Sequence, residues 1–196
     1  MRNDVTVAIL AGGLSRRMGA NKSFVSLAGK PLLQHVIERV SALRLPVILI
    51  TNTPEQYVHF DLPMYGDVYP QCGSLGGLYT ALHSSFTDYT LCVACDMPFL
   101  SVDLLRYMLD LRSGVHSVVP YIAGNYESLH AIYHQSCLPV MREQLEHGQL
   151  RISHIYACLQ VRLVTVAEIE RFDPDQRSFA NLNTPDDVAH IQKWLP

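Results

Sequence analysis

The sequence has no apolar run long enough to cross a membrane, and it has little charge of either sign. The longest apolar runs, such as Val5–Ala11 and Pro46–Ile50, are far shorter than the roughly 20 residues of a membrane helix and are typical of buried strands. Charged residues make up 17% of the chain and the formal net charge is -3, which provides no basic face for a nucleic acid. Neither a nucleic acid nor a membrane is therefore predicted as a partner.

Neither a secretory signal nor a disulfide framework is predicted. The first residues, Met1–Asp4, lead directly into an apolar segment without the charged region and cleavage site of a signal peptide. The five cysteines are odd in number and scattered, which suits a reducing compartment. We expect a cytoplasmic protein in which all five cysteines are thiols.

The chain has no internal repeat, low-complexity tract or linker, and its composition is that of a globular protein. It has 196 residues, of which 48% are hydrophobic, enough for a sizeable buried core. A single domain spanning residues 1–196 is predicted.

Segments of strand type alternate with segments of helical spacing along the chain. Strands are predicted at 5–10, 46–51, 64–69, 89–95, 116–121, 128–134 and 161–166. Helices are predicted at 31–43, 75–86, 101–111, 137–146, 152–159 and 185–194, and Ser101 is the expected N-cap of the third. This alternation predicts a three-layer α/β/α fold, with a mostly parallel sheet between helices on both faces.

Ligands of open parallel sheets bind beyond the carboxyl ends of the strands, and four places in the sequence have that position. They are the loop after Leu10, Asn52 after the second strand, Asp67 at the third, and Asp96 after the strand at 89–95. We expect the functional residues at these places.

The loop after the first strand combines three glycines, a hydroxyl group and three cations in the sequence LAGGLSRRMGANK, from Leu10 to Lys22. Glycines let backbone N–H groups approach phosphate oxygens, and Arg and Lys neutralise those oxygens. The spacing excludes a P-loop, because Ala20 rather than lysine follows Gly19, and no Gly-x-Gly-x-x-Gly follows the strand. A polyphosphate-binding loop is predicted, and the alternative is a glycine turn with solvated arginines.

The same loop resembles the signature of the nucleotidyltransferases with a nucleotide-diphospho-sugar-transferase-like fold, where LAGG or LAAG precedes S-x-R-M-G and a lysine. The resemblance continues at Gly29–Leu32, Gly73–Gly77, Cys95–Pro98 and Asn183–Asp187, and so covers essentially the whole chain. Within this family the motifs are most similar to the molybdenum cofactor guanylyltransferases, which join the GMP part of GTP to molybdopterin and release pyrophosphate.

The resemblance implies a role for each matched position. The implied catalytic residues are Arg16, Lys22 and Asp96, and Asp96 is the implied Mg²⁺ ligand. Because Arg16 and Arg17 are adjacent, Arg17 is left open as the alternative for the motif arginine. The implied nucleotide contacts are Leu10, Ala11, Gly12, Lys22, Asn52, Asp67 and Asp96. The pterin contacts are expected in the second half of the chain, near Arg151, and cofactor-handling proteins are left open as partners.

The chemistry of these residue types agrees with the implied roles. A carboxylate at a strand end suits Mg²⁺, which takes one or two protein carboxylates beside substrate phosphates. An acidic group such as Asp67 suits the amino and imino donors of guanine. The alternative for Asp96, Asn52 and Asp67 is the capping of a turn.

Other patterns are interpreted as structural. Cys92 and Cys95 form a C-x-x-C within a predicted strand, where their side chains point to opposite faces and fill the core rather than bind zinc. His130 and His134 would lie about 13 Å apart along a strand, too far to share a metal. Asn183–Asp187 is typical of a helix start, and a contact of Asn183 with the active site stays open.

Two alternatives to guanylyl transfer are left open. The first is a cytidylyltransferase that acts on molybdopterin or another phosphorylated acceptor, although the resemblance associates the Gly12-Gly13 pair with guanine. Asn21 stands where an acid commonly precedes the motif lysine, and Ser74 stands where the family motif GPLAG has proline. The second is a nucleotide-binding module without turnover, against which the retained Arg16, Lys22 and Asp96 argue.

Overall fold

The computed structural model describes residues 4–11, 21–182 and 187, and the layers are built from ten strands and five α-helices within these ranges. The strands are β1 Val5–Leu10, β2 Ser26–Leu27, β3 Lys30–Pro31, β4 Val47–Ile50, β5 Met64–Tyr65, β6 Tyr89–Ala94, β7 Ser117–Ile122, β8 Asn125–Tyr126, β9 His130–His134 and β10 Val161–Val164. The α-helices are α1 Leu32–Ser41, α2 Gly73–His83, α3 Val102–Asp110, α4 Leu138–Glu146 and α5 Val166–Ile169. Short 3-10 helices cover Lys22–Phe24, Pro54–Gln56, Val58–Phe60, Gln135–Cys137, Ile152–Cys158 and Arg177–Phe179.

The main sheet has the strand order β10-β7-β9-β6-β1-β4-β5, with β8 paired to β7. Strand β1 pairs in parallel with β4 and β6, β4 with β5, and β7 with β10. Strand β9 runs antiparallel to both β6 and β7. Residues 123–129 between β7 and β9 are too few for the crossover that a parallel pair needs, so β9 must reverse. The predicted mostly parallel sheet is confirmed.

Two hydrophobic cores lie on opposite faces of this sheet. Helices α1, α3 and α5 pack on one face, where they meet the odd-numbered residues of β1 such as Val7 and Ile9. Helices α2 and α4 pack on the other face, against Ala8 and Leu10. Every residue of β1 is buried, because side chains alternate between two covered faces. The three-layer α/β/α architecture is therefore confirmed.

Two predicted strands are shorter than expected. In each, a side chain hydrogen-bonds to a backbone N–H group just past the end of the strand. The strand at 64–69 ends at Tyr65, and the Asp67 N–H donates to Asn52 Oδ1 over 2.8 Å instead of joining the ladder. The strand at 161–166 ends at Val164, because Thr165 and Glu168 form a capping box that opens helix α5. Asp67 thus lies beyond its strand, where the backbone has left the sheet.

Other element predictions differ in kind or in boundaries. The short helix predicted at 152–159 is a 3-10 helix over Ile152–Cys158, and the hairpin of β2 and β3 was not predicted. Its turn places Ala28 at φ 49° and Gly29 at φ 79°, and strands of two residues carry no hydrophobic period. Ser101 caps α3 as predicted, since its hydroxyl accepts from the Leu104 N–H. The predicted helix at 185–194 lies outside the described residues, apart from position 187.

Within the described ranges, no helix is both long enough and apolar enough to span a bilayer.

Candidate functional site

The predicted site residues gather at one edge of the sheet, at the carboxyl ends of β1, β4 and β6. Leu10 ends β1 and pairs with Ile50 of β4 on one side and Ala94 of β6 on the other. The Ala11 N–H donates to the Ile50 carbonyl over 2.9 Å, and the Cys95 N–H donates to the Leu10 carbonyl over 3.1 Å. The three strand ends are therefore held together by backbone hydrogen bonds up to the point where the glycine-rich loop begins.

A lysine and a carboxylate meet above β6. Lys22 Nζ lies 3.4 Å from Asp96 Oδ2, and their side chains are 21% and 15% exposed. Asp96 follows β6 by two residues, and its carbonyl accepts from the Leu182 N–H over 3.2 Å. The carbonyl of Asp96 is thus held by a distant segment of the chain, while its carboxylate faces a cation. Lys22 and Asp96, predicted as catalytic residues, are brought together.

A second polar pair lies above β4 and β5. Asn52 Nδ2 donates to Asp67 Oδ2 over 2.7 Å, and Asn52 Oδ1 accepts from the Asp67 N–H. The other carboxylate oxygen, Asp67 Oδ1, faces helix α2, because it would lie 3.8 Å from a Cβ placed on Gly77. Such a Cβ would also lie 3.2 Å from Leu10 Cδ2. Leu10, Asn52 and Asp67 thus lie together beside Gly77 of α2, where Leu10 packs closely against the glycine backbone.

A tyrosine that sequence reasoning missed ties the two ends of the glycine-rich loop together. The hydroxyl of the fully buried Tyr57 lies 3.2 Å from the Ala11 carbonyl oxygen and 3.0 Å from Ser23 Oγ. It also accepts from Asn21 Nδ2 over 2.7 Å. Burial raises the pKa of Tyr57, so the hydroxyl stays neutral. Tyr57 lies between two 3-10 helices, where no hydrophobic period could have indicated it.

The substitution Tyr57→Phe is expected to lower the free energy of unfolding by about 1–2 kcal/mol, because it removes buried hydrogen bonds and keeps the ring. The ring packs 5.0 Å from that of Phe24, a contact that phenylalanine can retain. Chemical denaturation of both proteins measures the loss. The matched control is Tyr89→Phe, whose hydroxyl has no hydrogen bond within the described ranges, and equal stabilities for the two variants would contradict the expectation.

Two patterns that were interpreted as structural have the predicted geometry. Cys92 packs in the core under α2 and α4, and Cys95 packs against the opposite core. Burial raises the pKa of the Cys95 thiol to about 12, and all five cysteines are unpaired. His130 and His134 both lie on β9, and burial of His130 lowers its pKa to about 4. Across the part of the chain that is described, no group of three His, Cys, Asp or Glu could hold a metal.

Some predicted site residues lie outside the described residues. These are Gly12 and Arg16 of the glycine-rich loop, together with Asn183 near the end of the chain.

A cavity of about 360 Å³ opens beside Asp96, on the side of the sheet toward β9. It is lined by Ser74, Ala94, Asp96, Met97, Tyr126, Glu127, Ser128, Leu129, Ile152 and Asn181. A second cavity of about 550 Å³ shares Ser74, Tyr126, Ser128 and Ile152 with it, and is also lined by Arg151. The region near Arg151, where the sequence predicted acceptor contacts, is therefore concave and continuous with the lining of the first cavity.

The chain matches known proteins over nearly all of its length. Residues 7–162 match the MobA-like NTP transferase domain. A probable molybdenum cofactor guanylyltransferase of Natranaerobius thermophilus is 35% identical, over 100% of this chain and 98% of the relative. The molybdenum cofactor guanylyltransferase of Desulfosudis oleivorans is 33% identical, over 96% of this chain and 94% of the relative.

A solved structure has the same fold over the same length. The molybdopterin-guanine dinucleotide biosynthesis protein A of Archaeoglobus fulgidus superposes with a TM-score of 0.85, at 27% identity, over 96% of this chain and 97% of that protein. This agreement confirms the predicted nucleotide-diphospho-sugar-transferase-like fold. Since the family match and the full-length relatives agree, the chain belongs to the MobA-like NTP transferases and, among them, to the molybdenum cofactor guanylyltransferases.

Proposed function

We propose that this protein transfers GMP from GTP to molybdopterin and releases pyrophosphate. One observation carries the assignment of sites: the order of the polar groups follows the order of the strands. Asn52 and Asp67 follow β4 and β5, Asp96 follows β6, and the cavity lies toward β9. The base, the phosphates and the acceptor of a guanylyl transfer need that same order, because the acceptor attacks the phosphate that is attached to the nucleoside.

The polar pair of Asn52 and Asp67 suits the guanine base. Asp67 Oδ2 accepts from Asn52, which fixes the carboxylate and leaves Oδ1 on the side of Gly77. A carboxylate oxygen accepts from the amino and imino donors of guanine. The cytidylyl alternative receives no support from the relatives, which are named as guanylyltransferases.

The reaction is a direct transfer between the two substrates, and the protein forms no covalent bond in it. A phosphate oxygen of the acceptor attacks the α-phosphorus of GTP, a new P–O bond forms, and the bond to the β-phosphate oxygen breaks as pyrophosphate leaves. The nucleophile is already an anion, so no general base is needed. Lys22 has the position to hold the phosphates and offset the charge that develops on them, and Arg16 is predicted to assist.

Asp96 fits a magnesium ion that arrives with the nucleotide. Its carboxylate is one oxygen ligand at the mouth of a cavity, and Mg²⁺ typically combines one or two carboxylates with phosphate oxygens and water. When bound, such an ion offsets charge on the phosphates during transfer. We therefore propose Asp96 as its protein ligand. The cytoplasmic location, the cofactor-handling partners and a single domain over residues 1–196 stay predictions.

The test combines nucleotide binding with turnover. GTP with Mg²⁺ should raise the melting temperature more than CTP, ATP or UTP at equal concentration, because the nucleotide with the lowest Kd stabilises the folded state most. A ligand at a hundredfold excess over its Kd stabilises the fold by about 2.7 kcal/mol. Pyrophosphate should then be released only when molybdopterin is added. A larger shift with CTP would overturn the guanylyl assignment, and nucleotide binding without acceptor-dependent release would identify a binding module.

A further inference from the structure

The cavity beside Asp96 has one wall that carries an aromatic ring, Tyr126, which other rings hold in place. Tyr126 lines both cavities and is 37% exposed, and its ring centroid lies 4.5 Å from that of Tyr156 and 4.9 Å from that of Tyr121. A half-exposed ring with such neighbours presents its own face to the cavity in a fixed position. A second aromatic ring system can stack on that surface with little loss of side-chain freedom.

A hydroxyl network fixes the segment that carries this wall. Tyr156 Oη donates to Ser128 Oγ over 2.9 Å and lies 2.7 Å from Tyr133 Oη. The hydroxyl of Tyr133, a fully buried residue, donates to the Ser128 carbonyl over 2.8 Å. The turn between β8 and β9 is therefore anchored to the core on both its side-chain and its backbone atoms. A site built on it is pre-organised rather than formed on binding.

Glu127 lies between Tyr126 and Ser128 and lines the first cavity with them. It is half-buried, and the partial burial raises the pKa of its carboxyl. Among the residues that the structure describes, its carboxylate has neither a hydrogen-bond donor nor a cation as partner. A ligand that brings N–H donors to a partly desolvated carboxylate of this kind forms hydrogen bonds that stabilise the complex.

We propose that this cavity binds the fused nitrogen heterocycle of the acceptor, stacked on Tyr126 with its N–H edge donating to the Glu127 carboxylate. The inference rests on the proposed function, in which the acceptor is a pterin. A pterin carries an amino group beside a ring N–H, and the two oxygens of a carboxylate accept such a pair together. Charge sets the orientation of the acceptor in the cavity. Its phosphate is repelled by the Glu127 carboxylate and attracted by Lys22, which lies beside Asp96.

Two carboxylates at opposite ends of the site would recognise two different heterocycles by the same type of hydrogen bond. Asp67 would accept from the donors of guanine at one end of the site, and Glu127 would accept from the donors of the pterin at the other. Strands β4, β1 and β6 lie between the two carboxylates in the sheet order. Loss of Glu127 should therefore weaken the acceptor and leave the nucleotide unaffected.

The experiment titrates the full-length protein with 6-hydroxymethylpterin, a fluorescent pterin without phosphate. Tyr126→Ala and Glu127→Gln are each expected to raise its Kd about tenfold, whereas Tyr126→Phe, which keeps the ring, should stay within about twofold of wild type. In the transfer assay the KM for molybdopterin should rise in the first two variants while the KM for GTP stays unchanged. Glu55→Gln, a neutralised acid outside the cavity, is the control and should alter neither constant.

The outcomes separate this inference from the proposed function. Unchanged pterin affinity in both Tyr126→Ala and Glu127→Gln, in samples that still bind GTP and transfer GMP, would overturn the pterin site and leave the function standing. A raised KM for GTP in Glu127→Gln would also overturn it, because the carboxylate would then serve the nucleotide. If wild type neither binds GTP nor releases pyrophosphate, the proposed function itself is wrong.

Discussion

Replacing Asp96 by asparagine should reduce turnover about a hundredfold or more, while the fold stays intact. The amide has the same shape as the carboxylate but carries no charge, so it holds a divalent cation against the phosphates much more weakly. The backbone of Asp96 keeps its hydrogen bond from the Leu182 N–H in the variant, and the side chain is not in the core. The rate loss should therefore appear without a comparable loss of stability.

Pyrophosphate release at saturating GTP, molybdopterin and Mg²⁺ measures this effect directly. The matched control is Asp103→Asn on α3, an exposed acid paired with Arg106 at 3.0 Å, for which wild-type rates are expected. A near-wild-type rate for Asp96→Asn at saturating Mg²⁺ would show that Asp96 is not the metal ligand.

Lys22→Ala is the second change with a large expected effect, a loss of about a hundredfold in kcat/KM for GTP. Lys22 Nζ lies 3.4 Å from the carboxylate proposed to bind the metal, so its charge is close to the phosphates where transfer occurs. A cation that acts on the transition state lowers kcat, whereas one that acts mainly in binding raises KM. We expect the larger part of the loss in kcat.

The control for this variant is Lys30→Ala, which removes a lysine whose side chain is 52% exposed and paired with Glu38 outside the site. It should leave both kinetic constants within about twofold of wild type, since exposed ion pairs contribute little. Lys22→Arg should rescue only in part, because a planar fork does not replace a compact point charge. Full activity of Lys22→Ala would remove this lysine from the mechanism.

The elements that the sequence predicted well are those whose signal is local. Strand β1 matches its predicted bounds, since a strand covered on both faces is a continuous apolar run with a sharp end. Ser101 was found from its capping chemistry, and Asp96 from the end of an apolar run. The family motifs identified Lys22 and Asp96 as catalytic residues, and the structure brings their side chains to within 3.4 Å of each other.

The residues that the sequence did not reveal depend on contacts between distant parts of the chain. Tyr57 acts on Ala11, 46 positions earlier, and nothing in its own neighbourhood indicates that contact. The role inferred for Tyr126 and Glu127 depends on Tyr156 and Ser128 packing behind them. Strand β5 was predicted too long because the hydrogen bond of Asn52 to the Asp67 backbone has no sequence signature. Tertiary packing determines these contacts and strand ends, and hydrophobic periodicity along the sequence gives no information about them.

The reversed direction of β9 has a consequence for how this enzyme can diverge. Parallel strands bring their ends to the nucleotide edge, but β9 brings its beginning there, as the pairing of Val93 with His130 requires. The wall of the proposed acceptor cavity would consequently be made from the turn that precedes β9, whereas the proposed nucleotide contacts lie on loops that follow β1, β4 and β5. Insertions or exchanges within residues 123–129 would then change acceptor choice without shifting the β1–β4–β5 ladder. On this assignment, separate stretches of chain determine donor and acceptor specificity, and the two can evolve independently.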